Sequence, residues 1–164
     1  MNLKRIVLSA FLAAILYLQQ IVLSGLPNIE LCTLLVMLFT LVFPKETPWV
    51  IAVFILLEGI TYGFGTWWFG YCYIWPILMG ITWLCRKNTE LLIWVVIAAA
   101  YGLAFGLMYA VPYLFIGGPT AFFSYWISGI PFDLTHCIGN AVSVLLLWKP
   151  FYSALTRLKK QFAY

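Results

Sequence analysis

Apolar residues run through this chain in long stretches, broken at short intervals by small clusters of polar residues, glycines and prolines. Six stretches stand out, at about 6–23, 28–43, 49–64, 67–85, 91–116 and 125–148. Runs of this length and apolarity predict membrane-spanning helices, which need roughly 20 apolar residues each. The second and fourth are short for a span, whereas the fifth has the length to cross with tilt. Residues 149–164 form a basic tail with an amphipathic pattern. The first stretch has a basic start, an apolar middle and small residues at Ser24 and Gly25, a layout that also fits a secretory signal peptide. It is read here as the first membrane helix. The expectation is an all-α integral membrane protein, a six-transmembrane-helix bundle forming a single domain over 1–164.

Composition supports this. The chain of 164 residues is 65% hydrophobic and only 9% charged. A soluble domain carries about a quarter charged residues, so there is too little polar surface here to cover a water-facing globule. The net charge of +4 does not point to nucleic acid, because the bases are scattered along the chain. Their positions instead give an orientation. With six spans and the N-terminus inside, the inner segments hold Lys4, Arg5, Lys45, Arg86, Lys87, Lys149, Arg157, Lys159 and Lys160, which is every Lys and Arg present. The positive-inside rule then predicts that both termini are cytoplasmic.

The acids divide in two. Glu46 and Glu90 lie beside bases in inner connections, where a solvated surface role is expected. Glu30, Glu58 and Asp133 fall within apolar stretches, towards the outer half of the bundle. An ionisable side chain in a membrane span is costly unless it faces a partner or a cavity. In 129–141, GIPFDLTHCIGNA, Asp133, His136 and Asn140 recur at i, i+3 and i+7 and so share one helix face. Two readings are open for this face: a buried hydrogen-bond network that ties helices together, or the floor of a solute-binding cavity. Glu58, with Tyr62 one turn on, admits the same two.

Aromatic residues gather around the outer connections, with Tyr62, Trp67, Trp68 and Tyr71 at the facing ends of the third and fourth stretches and Tyr125 and Trp126 at the start of the sixth. An interfacial belt accounts for such residues on both sides of a membrane. Their excess outside argues for a stacking cage or lid over the cavity, with Gly63, Gly65, Gly117 and Gly118 letting the connections bend. Gly59/Gly63 and Gly102/Gly106 have the GxxxG spacing of close helix contacts. Ala10 and Ala14 have the same spacing, on a smooth strip suited to packing against another protein.

Enzymatic machinery is not evident. The chain has one His and lacks the GxSxG, HExxH and Walker patterns. Its four cysteines are far apart with no CxxC pair, so neither a metal site nor a cofactor is expected.

Three stretches carry a resemblance: the Ala10-Phe-Leu-Ala-Ala14 strip, the run NIELCTLLVMLFTLVF…VFILLEGITYGFG, and the ending GIPFDLTHCIGNAVSVLLLWKP. Together with size and helix number, they make the chain similar to the substrate-specific S components of energy-coupling factor (ECF) transporters, bacterial and archaeal vitamin-uptake systems. The resemblance implies a multi-pass subunit of the bacterial cell membrane that binds its solute with high affinity in an outward cavity. It implies partners as well: a transmembrane scaffold subunit and two ABC-type ATPases, which supply the ATP hydrolysis. Ala10 and Ala14 would match the family's docking motif. The segments 20–28 and 117–126 would gate the cavity, and docking would topple the subunit to deliver the solute.

The outer half offers carboxylates and no base, so a neutral or cationic heterocycle is the expected solute. The residues expected to contact it are Asp133, His136, Asn140, Glu58, Tyr62, Trp67, Trp68, Tyr71, Glu30, Tyr125 and Trp126. The competing expectation is a stand-alone proton-coupled transporter with Asp133, His136 and Glu58 as its relay. A membrane-embedded enzyme is a third.

Overall fold

A computed structural model of the chain describes residues 3–26 and 29–161. The described residues form helices α1 (Leu3–Leu23), α2 (Cys32–Val42), α3 (Thr47–Tyr62), α4 (Thr66–Cys85), α5 (Leu91–Leu103) and α6 (Phe105–Gln161), with no strand among them. By length and apolarity, Leu3–Leu23, Thr66–Cys85 and the stretch Leu91–Gln161 each suffice to cross a membrane. Their outer faces are apolar: Val22 is 79% exposed, Leu84 73% and Phe115 83%. Water would penalise such a surface and lipid does not. The protein is a helical membrane protein.

Helix α2 is the central post. It has 11 residues, all apolar except two threonines, and every one but Leu41 is buried. A helix that is apolar all round belongs inside a bundle, and α1, α3, α4 and α6 all meet this one. Its threonines are satisfied locally or across helices, with Thr40 Oγ1 donating to the Val36 carbonyl at 2.7 Å. The helix starts later than the predicted residue 28. Glu30 accounts for this, since its carboxylate accepts the Thr33 N–H at 3.2 Å and the Thr33 hydroxyl at 2.7 Å. That serves donors left without intrahelical partners at a helix start. Pro27 and Asn28, on which part of the predicted first connection and second helix falls, lie outside the described residues, as do residues 1–2 and 162–164.

The other helices close around α2 through a few polar clasps set in apolar contact. Tyr17 and Thr61 share a hydroxyl hydrogen bond between α1 and α3. Trp68 Nε1 donates to the Ile55 carbonyl at 2.9 Å, tying α4 to α3. Tyr101 Oη donates to the Ile74 carbonyl at 2.9 Å, tying α5 to α4. Trp94 and Trp148 stack with centroids 5.1 Å apart at the base-rich end of α5 and α6. Glu46, expected to be solvated, is instead buried and ion-paired with Arg5. The two lie at adjoining ends of α1 and α3, so pairing removes an acid and a base from water together.

The predicted connection at 117–124 is almost absent. Helical geometry runs from Phe105 to Gln161 with one break, at Gly118, where φ is +71°. Such a φ favours glycine. Pro119 follows and suits the first turn of a new helix, where its missing N–H is no loss. Two limbs therefore run antiparallel, 105–117 continuing α5 and 119–161 returning along it. The returning limb does not stop at residue 148 as predicted. It continues through Pro150 because Leu155 is buried on its far turns and Phe151 and Leu158 pack onto the core. Of the two GxxxG pairs, Gly102 and Gly106 both face the returning limb. The Gly59/Gly63 pair divides, with Gly59 against Phe64 and Trp68 and Gly63, at φ +89°, ending α3.

Candidate functional site

The returning limb of α6 carries Asp133, His136 and Asn140 on one face, and all three are buried. Each takes a different partner. Helix α5 ends at Leu103 and α6 begins at Phe105, and this junction leaves the Gly106 N–H without a carbonyl of its own turn. Asp133 Oδ1 accepts it at 2.8 Å. Gly106 has to be glycine for this, since a Cβ there would overlap the Asp133 carboxylate. One turn deeper, His136 Nε2 lies 3.0 Å from Glu30 Oε1 and donates to it, the only direction open to a carboxylate acceptor. The imidazole also stands edge-on to Phe105, with centroids 4.5 Å apart. Deeper again, Asn140 Nδ2 donates to Thr33 Oγ1 at 3.1 Å and to the Ala98 carbonyl at 3.3 Å.

Three cavities meet at Tyr71, whose side chain lines each of them. The first, about 140 Å³, lies among Glu30, His136, Phe105, Trp75 and Gln20. The second, about 290 Å³, lies among Glu58, Tyr62, Trp67, Gln20 and Ser24. The third, about 490 Å³, lies among Asp133, Gly106, Tyr109, Tyr125 and Ser128. No Lys or Arg lines any of the three. Tyr71 is held by rings on several sides, Phe54 stacked at 5.8 Å and Trp67, Trp75 and Tyr109 edge-on at 5.4, 5.5 and 6.0 Å. Gln20 Nε2 approaches its hydroxyl at 3.5 Å.

Three buried polar atoms around these cavities have no hydrogen-bond partner: Glu58 Oε1, Asp133 Oδ2 and the indole Nε1 of Trp75. A buried group left unpaired costs about 1–3 kcal/mol. Two carboxylate acceptors and one N–H donor thus stand unsatisfied around a single tyrosine.

The expected site residues separate accordingly. Glu58, Tyr62, Trp67 and Tyr71 share one cavity, Glu30 and His136 line another with Tyr71, and Asp133 and Tyr125 line the third. Tyr125 is stacked on Tyr113 at 4.1 Å. Asn140, Trp68 and Trp126 line none of these cavities. The Asn140 amide is spent on Thr33 and Ala98 and the Trp68 indole on Ile55, while Trp126 lies against Phe122 and Phe123. These three make hydrogen bonds and ring contacts within the bundle instead of lining the described cavities.

Phe105 and Tyr109 line the cavities without having stood out in the sequence, as do Gly106, read there only as a helix-packing glycine, and Gln20, read only as part of the gating segment. Gln20 and its neighbour Gln19, adjacent amides in an apolar run, were the available signal. Ala10 is exposed on α1 and Ala14 half-buried, while Ala13 and Leu12 face the core. No group of His, Cys, Asp and Glu with metal-binding geometry occurs among the described residues. No protein-family model, curated protein or solved structure matches the chain.

Proposed function

We propose that this protein is the membrane-embedded solute-binding subunit of an ATP-driven uptake system of the energy-coupling factor type, working in a bacterial cell membrane. In this reading the chain crosses six times with both termini cytoplasmic, α2 serving as the buried central crossing. The observation that carries it is the set of unpaired atoms around Tyr71: Glu58 Oε1, Asp133 Oδ2 and Trp75 Nε1. Of the four buried side-chain polar atoms without a partner among the described residues, three line these cavities and only Ser9 Oγ on α1 lies elsewhere. Such clustering suits an absent ligand better than a structural network.

The solute that fits is a flat, nitrogen-rich heterocycle, neutral or cationic, a micronutrient of vitamin type. Its N–H groups would satisfy the two carboxylates, a ring acceptor would take the Trp75 N–H, and its faces would stack among Tyr71, Trp67 and Tyr109. Tyr71 lines all three cavities and Gln20 the first two, so displacement of these side chains would merge the spaces into one. Ala10 and Ala14, on the outward side of α1, would meet the scaffold subunit.

The alternative is a stand-alone proton-coupled carrier using Asp133, His136 and Glu58. It needs these groups to form a chain, and the His136 imidazole is instead engaged by Glu30.

The test is purification from the native membrane, followed by denaturation and mass spectrometry of the released small molecules. A retained heterocycle, together with a co-purified scaffold and ATPases, supports the proposal. Uptake by the lone chain that a protonophore collapses would replace it with the carrier.

A further inference from the structure

The largest of the described cavities lies away from the Tyr71 centre, at the end of the bundle that collects the bases. It measures about 770 Å³ and has two zones. Its floor is the stacked pair Trp94 and Trp148, which are 2% and 8% exposed. Its rim holds Arg86, Lys87 and Lys149, and no acidic residue lines it. Arg86 is already oriented, its guanidinium 3.8 Å from the centre of the Trp83 ring and its Nη1 donating to the Trp83 carbonyl at 2.7 Å. That leaves its remaining N–H groups available to a second acceptor. Helix α5 starts here, at Leu91 on the cavity wall, and no side chain caps it. Its first N–H groups and its dipole favour an anion at this place.

We propose that this cavity binds a phosphate anion carried on an apolar body, namely the headgroup of an anionic phospholipid. The phosphate would sit between Lys87, Lys149 and Arg86, and the glycerol and upper acyl region would lie on Trp94 and Trp148. An aromatic floor beneath a basic rim is what such an amphiphile requires, whereas free phosphate has no use for the floor. Basic pockets between membrane helices on the cytoplasmic side are suited to such headgroups.

The experiment is native mass spectrometry of the full chain in neutral detergent, with phosphatidylglycerol or phosphatidylcholine added at equal concentration. Phosphatidylglycerol adducts should persist at collision energies that strip phosphatidylcholine. The double variant Lys87→Gln/Lys149→Gln should weaken that preference roughly 30-fold, about fivefold per basic residue. Both lysines are exposed, so the fold should survive, which an unchanged melting temperature in lipid-free detergent checks. A control double variant, Lys159→Gln/Lys160→Gln, removes the same charge from the end of α6 and should leave the preference intact. Equal loss in both variants would overturn the site in favour of general surface attraction. Thermal stabilisation by inorganic phosphate equal to that by phosphatidylglycerol would overturn the lipid assignment.

Discussion

Replacing Asp133 separates two tasks that its carboxylate performs. Oδ1 accepts the Gly106 N–H at the junction of α5 and α6, and Oδ2 lies buried without a partner beside the third cavity. Asp133→Asn can keep the first task through its amide oxygen. It reverses the second, because an N–H donor then stands where the proposed solute would meet an acceptor. A hydrogen bond to a charged group contributes about 1.5–3 kcal/mol, so solute affinity should fall about 10- to 150-fold while the fold is retained. Asp133→Ala abolishes both tasks and orphans the Gly106 N–H, at about 1–3 kcal/mol. At roughly 2–4 °C per kcal/mol for a chain of this size, its melting temperature should drop by about 2–12 °C. The assay pairs thermal unfolding in detergent with titration of the heterocycle identified by mass spectrometry. If Asn and Ala lower the melting temperature alike while Asn leaves affinity untouched, Asp133 is a structural clasp and the binding argument at this residue fails.

Glu58→Gln should weaken solute binding about tenfold or more, with little change in melting temperature, since Glu58 Oε1 holds no partner in the bundle; unchanged affinity would remove it from the site. Gly102→Ala should destabilise by about 1–3 kcal/mol, because its Cβ would press on the His136 and Cys137 backbone as well as the Asn140 amide; a melting temperature equal to the parent's would show that this helix contact is looser than described. Ala10→Trp or Ala14→Trp should leave solute binding intact and block uptake in cells that carry the scaffold and ATPases; uptake at the parent's rate would place docking elsewhere.

Some of this architecture was written in the local order of residues. The apolar runs dictate helices, because a backbone in lipid must satisfy its own hydrogen bonds. The i, i+3, i+7 spacing puts Asp133, His136 and Asn140 on one face whatever surrounds them. Gly118 and Pro119 mark a turn by their own stereochemistry, although a longer connection was expected there. What local order cannot convey is which side chain finds which partner. His136 meets Glu30 across 106 residues of chain and Asn140 meets Thr33 across 107, so these pairings exist only once α6 lies against α2. The same docking consumes the Asn140 amide and leaves Asp133 Oδ2 unpaired, although both residues look alike in sequence. Tyr71 is one tyrosine among 10 in composition. It becomes the hub of three cavities because four aromatic rings from three helices and the amide of Gln20 converge on it, and convergence of that kind is a property of the assembled bundle.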